Sequence, residues 1–354
     1  MKADWCGFGA AQLQREADTA LADAQARKDG LGTDTGVEQG RAPGVEVMNE
    51  ATEQVRRRWV KALVQRRDPR SLAVAEFLGG LDEEPMLARA RLQALASTTS
   101  DPMVTVLALQ RPCDPGLCRN IEASQWSRLE PANLQAWLAL LRDANGGARA
   151  AQSGYALERM AAEGRYSRNY QRELQAILLS LPQTSTPGLA NEAELQFISG
   201  AAAAWTIVSH RPLAEACQAA VPGTLARCDA VLDRLWEADS ALERAIAIGL
   251  ARRWVLPAHP ELRARWEPRA REYEAASAWS SEATLRLVSG APAGESPCSL
   301  QTEMRKWISG TAQLGEWGHW RAEMLAAGVD EAALSARWRR DRGRGALDPE
   351  PARR

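Results

Sequence analysis

The sequence predicts an all-α fold of short antiparallel helices, and three observations carry the prediction. Alanine, the best helix former, supplies 65 of the 354 residues. Valine, isoleucine, threonine and phenylalanine are sparse, and no run alternates apolar with polar residues as a half-buried strand would. A polar residue followed by proline recurs ahead of segments with helical apolar spacing, at Asp68-Pro69, Glu84-Pro85, Asp101-Pro102, Glu130-Pro131 and His259-Pro260. Proline suits a first helical turn, where the missing N–H would have had no partner.

Taken in order, residues 1–28 read as an N-terminal helical arm, with Leu13, Ala17, Ala20, Leu21 and Ala24 on one face. Residues 29–44 hold five glycines and a proline and read as a linker or loop. The body is expected over 45–340. Its first helix, 47–67, turns Val55, Trp59, Leu63 and Val64 inward. Further helices start at the prolines and are expected over 121–128, 132–144, 148–163, 169–181, 192–208, 212–220, 225–238, 241–255, 262–289, 299–325 (broken near Gly310 and Gly315) and 331–340. Residues 341–354, rich in arginine, glycine and proline, are expected to be a disordered tail.

Short helices with short connections make antiparallel neighbours. A dozen of them without strands leave a solenoid or a closed toroid. Unit length drifts between about 30 and 40 residues with no strict repeat, which predicts an irregular right-handed superhelix of helical hairpins, an α-solenoid.

The net charge of −1 gives no global pull toward nucleic acid or an anionic membrane. The longest nearly apolar run, 197–208, is far short of the roughly 20 residues that span a bilayer. No secretory signal is read at the start, because Asp4, Arg15, Glu16 and Asp18 interrupt any apolar core.

Six cysteines are present. Cys113 and Cys118 bracket Asp114-Pro115-Gly116-Leu117, a turn that brings its flanks together. Cys217 and Cys228 flank Pro222-Gly223, each about one and a half turns from that corner if it joins antiparallel helices. Both pairs are disulfide candidates, whereas the spacing assigns no partner to Cys6 or Cys298. Local bridges favour the cell envelope or periplasm, and the lack of a signal favours the cytoplasm, so localisation stays open. The cysteine gaps do not match a zinc knuckle, and no metal site is expected.

Residues 129–165 resemble a tetratricopeptide repeat. Pro131, Asn133, Trp137, Leu140 and Leu141 stand where that family carries its helix entry, aromatic and Leu/Gly pair, and Tyr155, Ala156 and Ala161 fall loosely in its second helix. Leu141 replaces the usual glycine, and Gly164-Arg165-Tyr166 ends the unit where a proline is usual. The resemblance covers about a tenth of the chain. It implies a concave groove that binds a peptide or a partner protein.

For chemistry the sequence offers little. His210, His259 and His319 are the only histidines and stand at no metal or triad spacing. No nucleophile elbow, phosphate-cradling loop or dinucleotide fingerprint is present, so no cofactor is expected. The densest aromatic cluster, Trp317-Gly318-His319-Trp320 with nearby Trp307, is the ligand-binding candidate: two tryptophans three apart share a helix face. Tyr166 and Tyr170 would share a packing stripe if the helix expected at 169 began a turn earlier. Basic runs lie at Arg56, Arg57, Arg58, Lys61, Arg66, Arg67 and Arg70, and at Arg337, Arg339, Arg340, Arg342 and Arg344. Each reads as a solvated face, with an acidic partner or nucleic acid as the alternative, the latter weakened by the balanced net charge and the lack of stacking aromatics at intervals. The resulting expectation is a non-catalytic scaffold binding a protein or peptide. The alternative is a superhelical or toroidal enzyme acting on a cell-wall or polysaccharide substrate, which would need two carboxylates across a pocket.

Overall fold

The computed structural model describes residues 45–349, apart from 82–83, 115, 144–147, 187, 206–207, 219–221 and 289–296. The expected arm and linker over 1–44 lie outside the described residues. The fold is all-α: among the described residues there is no strand, and one isolated bridge joins Asn133 to Tyr166.

The helices are α1 (Val45–Arg66), α2 (Pro69–Phe77), α3 (Pro85–Thr98), α4 (Pro102–Gln110), α5 (Ala123–Leu129), α6 (Leu134–Asp143), α7 (Ala148–Glu163), α8 (Gln171–Leu179), α9 (Leu189–Ala203), α10 (Arg211–Gln218), α11 (Thr224–Trp236), α12 (Ala241–Leu250), α13 (Arg263–Val288), α14 (Pro297–Ala326) and α15 (Glu331–Arg342). Three of the proline signals act as read. Pro69, Pro85 and Pro102 each open a helix, and Asp68 and Asp101 accept the backbone N–H of Ser71 and Met103. At Glu130-Pro131 the start is three residues later than the proline suggests. Asn133 caps α6 instead, accepting from the Gln135 N–H at 3.1 Å. At His259-Pro260 only a short 3₁₀ turn, Pro260–Leu262, precedes α13.

α12 runs into a π turn, Ala251–Val255, and one further turn, Leu256–Ala258. α14 is broken once, at Gly315, whose φ of 73° and ψ of 166° suit only glycine. Gly310, expected as a second break, is helical and serves packing: a Cβ there would run into the His319 ring.

Helices adjacent in sequence pack together through α1 to α7, but contacts are not confined to chain neighbours. α1 lies against α9, α9 and α8 against α14, α7 against α11, and α13 against α15. The core is one connected cluster, with Trp59, Trp126 and Trp266 fully buried in it. Within the segment assigned to the tail from composition, residues 341–342 end α15 and residues 345–347 are packed. Ala346 and Leu347 are buried, and the Ala346 N–H donates to Glu274 Oε1 at 2.7 Å. The buried Glu274 also accepts from Ser335 Oγ and Arg339 Nε, so this carboxylate fixes the C-terminal segment to α13.

Both expected cysteine pairs are bonded, Cys113 to Cys118 with Cα atoms 6.1 Å apart and Cys217 to Cys228 at 5.7 Å. The first closes the turn in which Leu117 N–H donates to Asp114 O. The second crosses the corner where Gly223 adopts φ 77° ahead of α11. Cys298 is disulfide-bonded as well. Opening the Cys217–Cys228 bridge is expected to cost about 3 kcal/mol on the chain-entropy model. Alkylation of the denatured, unreduced protein should leave all four local cysteines unlabelled, and reduction should lower the midpoint of urea unfolding. Labelling at full stoichiometry without reductant would overturn the bridges.

Candidate functional site

Arginine-rich helices can present either a satisfied surface or an unsatisfied one, and pairing separates the two. The expected basic run on α1 is largely consumed internally. Arg58 pairs with buried Glu194, Arg66 donates to Ser180 O, and Arg70 pairs with Asp101. What remains faces an open groove of about 680 Å³ between α1, α2 and α3. Its cationic lining is Arg56, Arg57, Lys61, Arg89 and Arg111, and its apolar lining includes Phe77, Leu78, Leu81 and Pro85. Glu53 and Glu76 are its two described carboxylates.

Both acids are committed. Glu53 accepts from Arg56 and Arg57 at 2.7 Å, and Arg56 foremost holds its carboxyl down at about 2. Arg91 donates to both oxygens of Glu76 at 2.9 Å. Arg56 also donates to Gly80 O at 2.8 Å, fixing the exit of α2 as the groove wall. Arg111, at the end of α4, stacks 4.8 Å over the Phe77 ring and is half-buried. Burial, and next the charge of Arg89, push its pKa down. Sequence reasoning missed Arg89 and Arg111. They lie 22 positions apart, Arg89 on α3 and Arg111 just after α4, and only tertiary packing brings them together.

A second cavity of about 500 Å³ lies between α3 and the Cys118–Glu122 loop, lined by Gln93, Arg119, Asn120 and Gln125 among others. Its walls are structural polar groups. Gln93 donates to Ala108 O and accepts from the Ile121 N–H, and Asn120 caps the disulfide turn through the Cys113 N–H and carbonyl.

The aromatic candidate is placed as follows. Trp317 and His319 are buried, while Trp307 and Trp320 are half-buried. Trp317 and Trp320 do meet, with ring centroids 6.0 Å apart. Trp317 packs edge-on against Trp236 at 5.7 Å and donates Nε1 to Glu272 at 3.0 Å. Arg244 lies between the two rings, 4.8 Å from the Trp236 centroid and 4.5 Å from that of Trp317. None of the four residues lines either cavity. Trp317 is thus an inter-helix contact with its polar handle already used.

Two buried carboxylate centres appear that helical sequence alone does not single out. Glu130 accepts Trp126 Nε1 at 2.8 Å and, at 2.9 Å each, Asn133 Nδ2 and the hydroxyls of Tyr166 and Tyr170. Tyr166 is raised to about 12, by burial first and then by the Glu130 bond, and Tyr170 is pushed up further. The two tyrosines do not share a helical stripe. Tyr166 forms the bridge to Asn133, and Tyr170 is the left-handed residue ahead of α8. They meet through the carboxylate.

Glu243, in the first turn of α12, accepts from Gln135 Nε2 and Ser167 Oγ, and has no ion pair among the described residues. Burial raises its pKa to about 6. Glu316, which accepts the Ala241 N–H at 2.9 Å, is raised too, again by burial. Neither lines a cavity.

For Glu243 the folded value of about 6 exceeds the ordinary carboxyl value of 4.5. The folded state therefore holds the proton more tightly, and stability from this group falls as pH rises from 4.5 to 6. The loss amounts to about 2 kcal/mol. His210 acts oppositely. Burial lowers it from 6.5 to about 4, so its contribution is lost as pH falls through that window. Glu243→Gln should stabilise the chain by about 2 kcal/mol at pH 8 and by nothing at pH 4. Urea unfolding at the two pH values checks this; an equal effect at both would refute the buried-charge account.

Comparison with protein-family models, with curated proteins and with solved structures gives no match to this chain.

Proposed function

We propose that the chain is a non-catalytic helical scaffold that binds a protein or peptide partner in the groove between α1, α2 and α3. The observation that carries this reading is the groove's composition: a surplus of cations and an apolar wall, with both described carboxylates already paired. A surface built this way has binding capacity. On this reading the helices form an irregular array of hairpins in which α1 also packs on α9. The hairpin of α6 and α7, where the resemblance to a tetratricopeptide repeat lies, is closed by backbone bonds from Arg165 N–H to Ala132 O and from Leu134 N–H to Tyr166 O.

The polysaccharide-enzyme reading needs two carboxylates facing each other across an open cavity. Among the described residues the carboxylates with raised pKa values, Glu243 and Glu316, line neither of the cavities described above, which weighs against it. The experiment is affinity capture from native lysate with mass spectrometry, run beside a turnover assay on cell-wall glycans. A stoichiometric protein partner without turnover supports the scaffold. Glycan cleavage with no partner overturns it.

A further inference from the structure

Like charges are held together in a fold only at a cost, unless something of opposite charge completes the arrangement. Arg89 on α3 and Arg111 after α4 are close enough for the charge of Arg89 to depress Arg111. Arg111 is half-buried against Phe77. Neither arginine has an ion pair among the described residues, and neither does Lys61 across the groove. Elsewhere the chain pairs its arginines freely: Arg58 with Glu194, Arg91 with Glu76, Arg265 with Asp229, and Arg339 with Glu274. Cations without an ion pair among the described residues also lie elsewhere, Arg119 and Arg128 at the second cavity among them; in this groove three of them, Lys61, Arg89 and Arg111, stand beside an apolar wall, and both described carboxylates of the lining are already paired.

The apolar part of the lining narrows the ligand. Leu81 is 57% exposed at the groove edge, next to Leu78 and Pro85. Inorganic anions and nucleic-acid phosphates make no use of such a wall. Nucleic acid would also need an open aromatic face for its bases. The aromatic ring lining this groove, Phe77, is buried and covered by Arg111. A peptide with carboxylates alternating with aliphatic side chains uses both parts, the acids on planar guanidinium forks and the aliphatics on Leu78 and Leu81.

We infer that the groove between α1, α2 and α3 binds an acidic, aliphatic-containing peptide segment of a partner protein, with Arg89 and Arg111 receiving its carboxylates and Leu81 its apolar side chain. This rests on the peptide-binding reading above and gives that partner its chemistry.

The test is selection of a phage-displayed random twelve-residue peptide library on the whole chain. Enriched peptides are then measured by fluorescence anisotropy against the wild type, Arg89→Glu, Arg111→Gln and Leu81→Ser. Acidic, leucine-containing peptides should be enriched. Arg89→Glu should weaken them at least tenfold; so should replacing their glutamates with glutamine. Leu81→Ser should weaken them several-fold. Among the described residues Arg89 has no ion pair to lose, so Arg89→Gln should unfold at the same urea concentration as wild type or a higher one, since it relieves Arg111. That readout separates a binding role from a structural one. Enriched peptides that lack acidic residues and ignore the groove variants would overturn this inference while leaving peptide binding intact. Failure to enrich any peptide would remove both. A single-stranded oligonucleotide that binds, and is lost on Arg89→Glu while acidic peptides are not bound, would overturn the choice of partner.

Discussion

Glu130→Ala is expected to lower the stability of the chain by about 4 kcal/mol. The glutamate sits between α5 and α6 and accepts from four side-chain donors: Trp126, Asn133, Tyr166 and Tyr170. Alanine would leave the indole N–H of Trp126 and the hydroxyl of Tyr170, both on buried residues, without an acceptor. Asn133 would lose one of its anchors while still donating to Arg168 O and accepting from the Arg168 and Gln135 N–H groups. The residue thus ties the entry of α6 to the segment that leads into α8. It also supports Tyr170 in a left-handed conformation, φ 67°, that costs a non-glycine residue about 1 kcal/mol or more. Urea unfolding measures the effect. Glu130→Gln should be intermediate, because its amide oxygen can still accept while its NH₂ opposes donors. A loss below about 1 kcal/mol in the alanine variant would mean that the network contributes little.

The second large effect is expected at Gly315, where α14 turns. Gly315→Ala would force a Cβ into a region of φ and ψ that suits only glycine. It would also place that Cβ 2.6 Å from Cβ of Asp239. The neighbours cannot yield easily, because the Trp317 N–H donates to Asp239 O and Glu316 caps α12 at Ala241. Conformational strain and overpacking together should cost about 3 to 4 kcal/mol. Gly249→Ala is the matched control. It lies within α12 with open space around the added Cβ, and should gain up to about 1 kcal/mol from helix propensity. Equal stability of the two variants would refute the steric argument.

These two residues show what could be read from sequence and what could not. Helix starts were legible at Asp68-Pro69 and Asp101-Pro102 because cap and proline act within one turn. The bounds of α7, 148–163, follow from apolar spacing alone. The bridges Cys113–Cys118 and Cys217–Cys228 were legible because each closes over a single local turn. Glu130 was illegible as a network centre, since two of its donors come from more than thirty positions downstream. Arg111 gave no signal, as a lone arginine after a helix is commonplace. The aromatic run near Trp317 was visible, but sequence could not show that Arg244 and Glu272 already occupy its ring face and its N–H. Residues 345–347 depart from the expected tail for a similar reason. Composition argued for fraying, while Glu274, some seventy positions upstream, holds Ala346 in place.

The contact of α1 with α9, and of α9 with α14, has a consequence for how such a chain can change size. An open stack accepts a duplicated or deleted hairpin at little cost, because only the two flanking units must adjust. Here a hairpin inserted between α2 and α8 would push α1 off α9 and break a seam elsewhere in the molecule. The number of helices is therefore locked, and unfolding should proceed as one concerted event and not by peeling from an end.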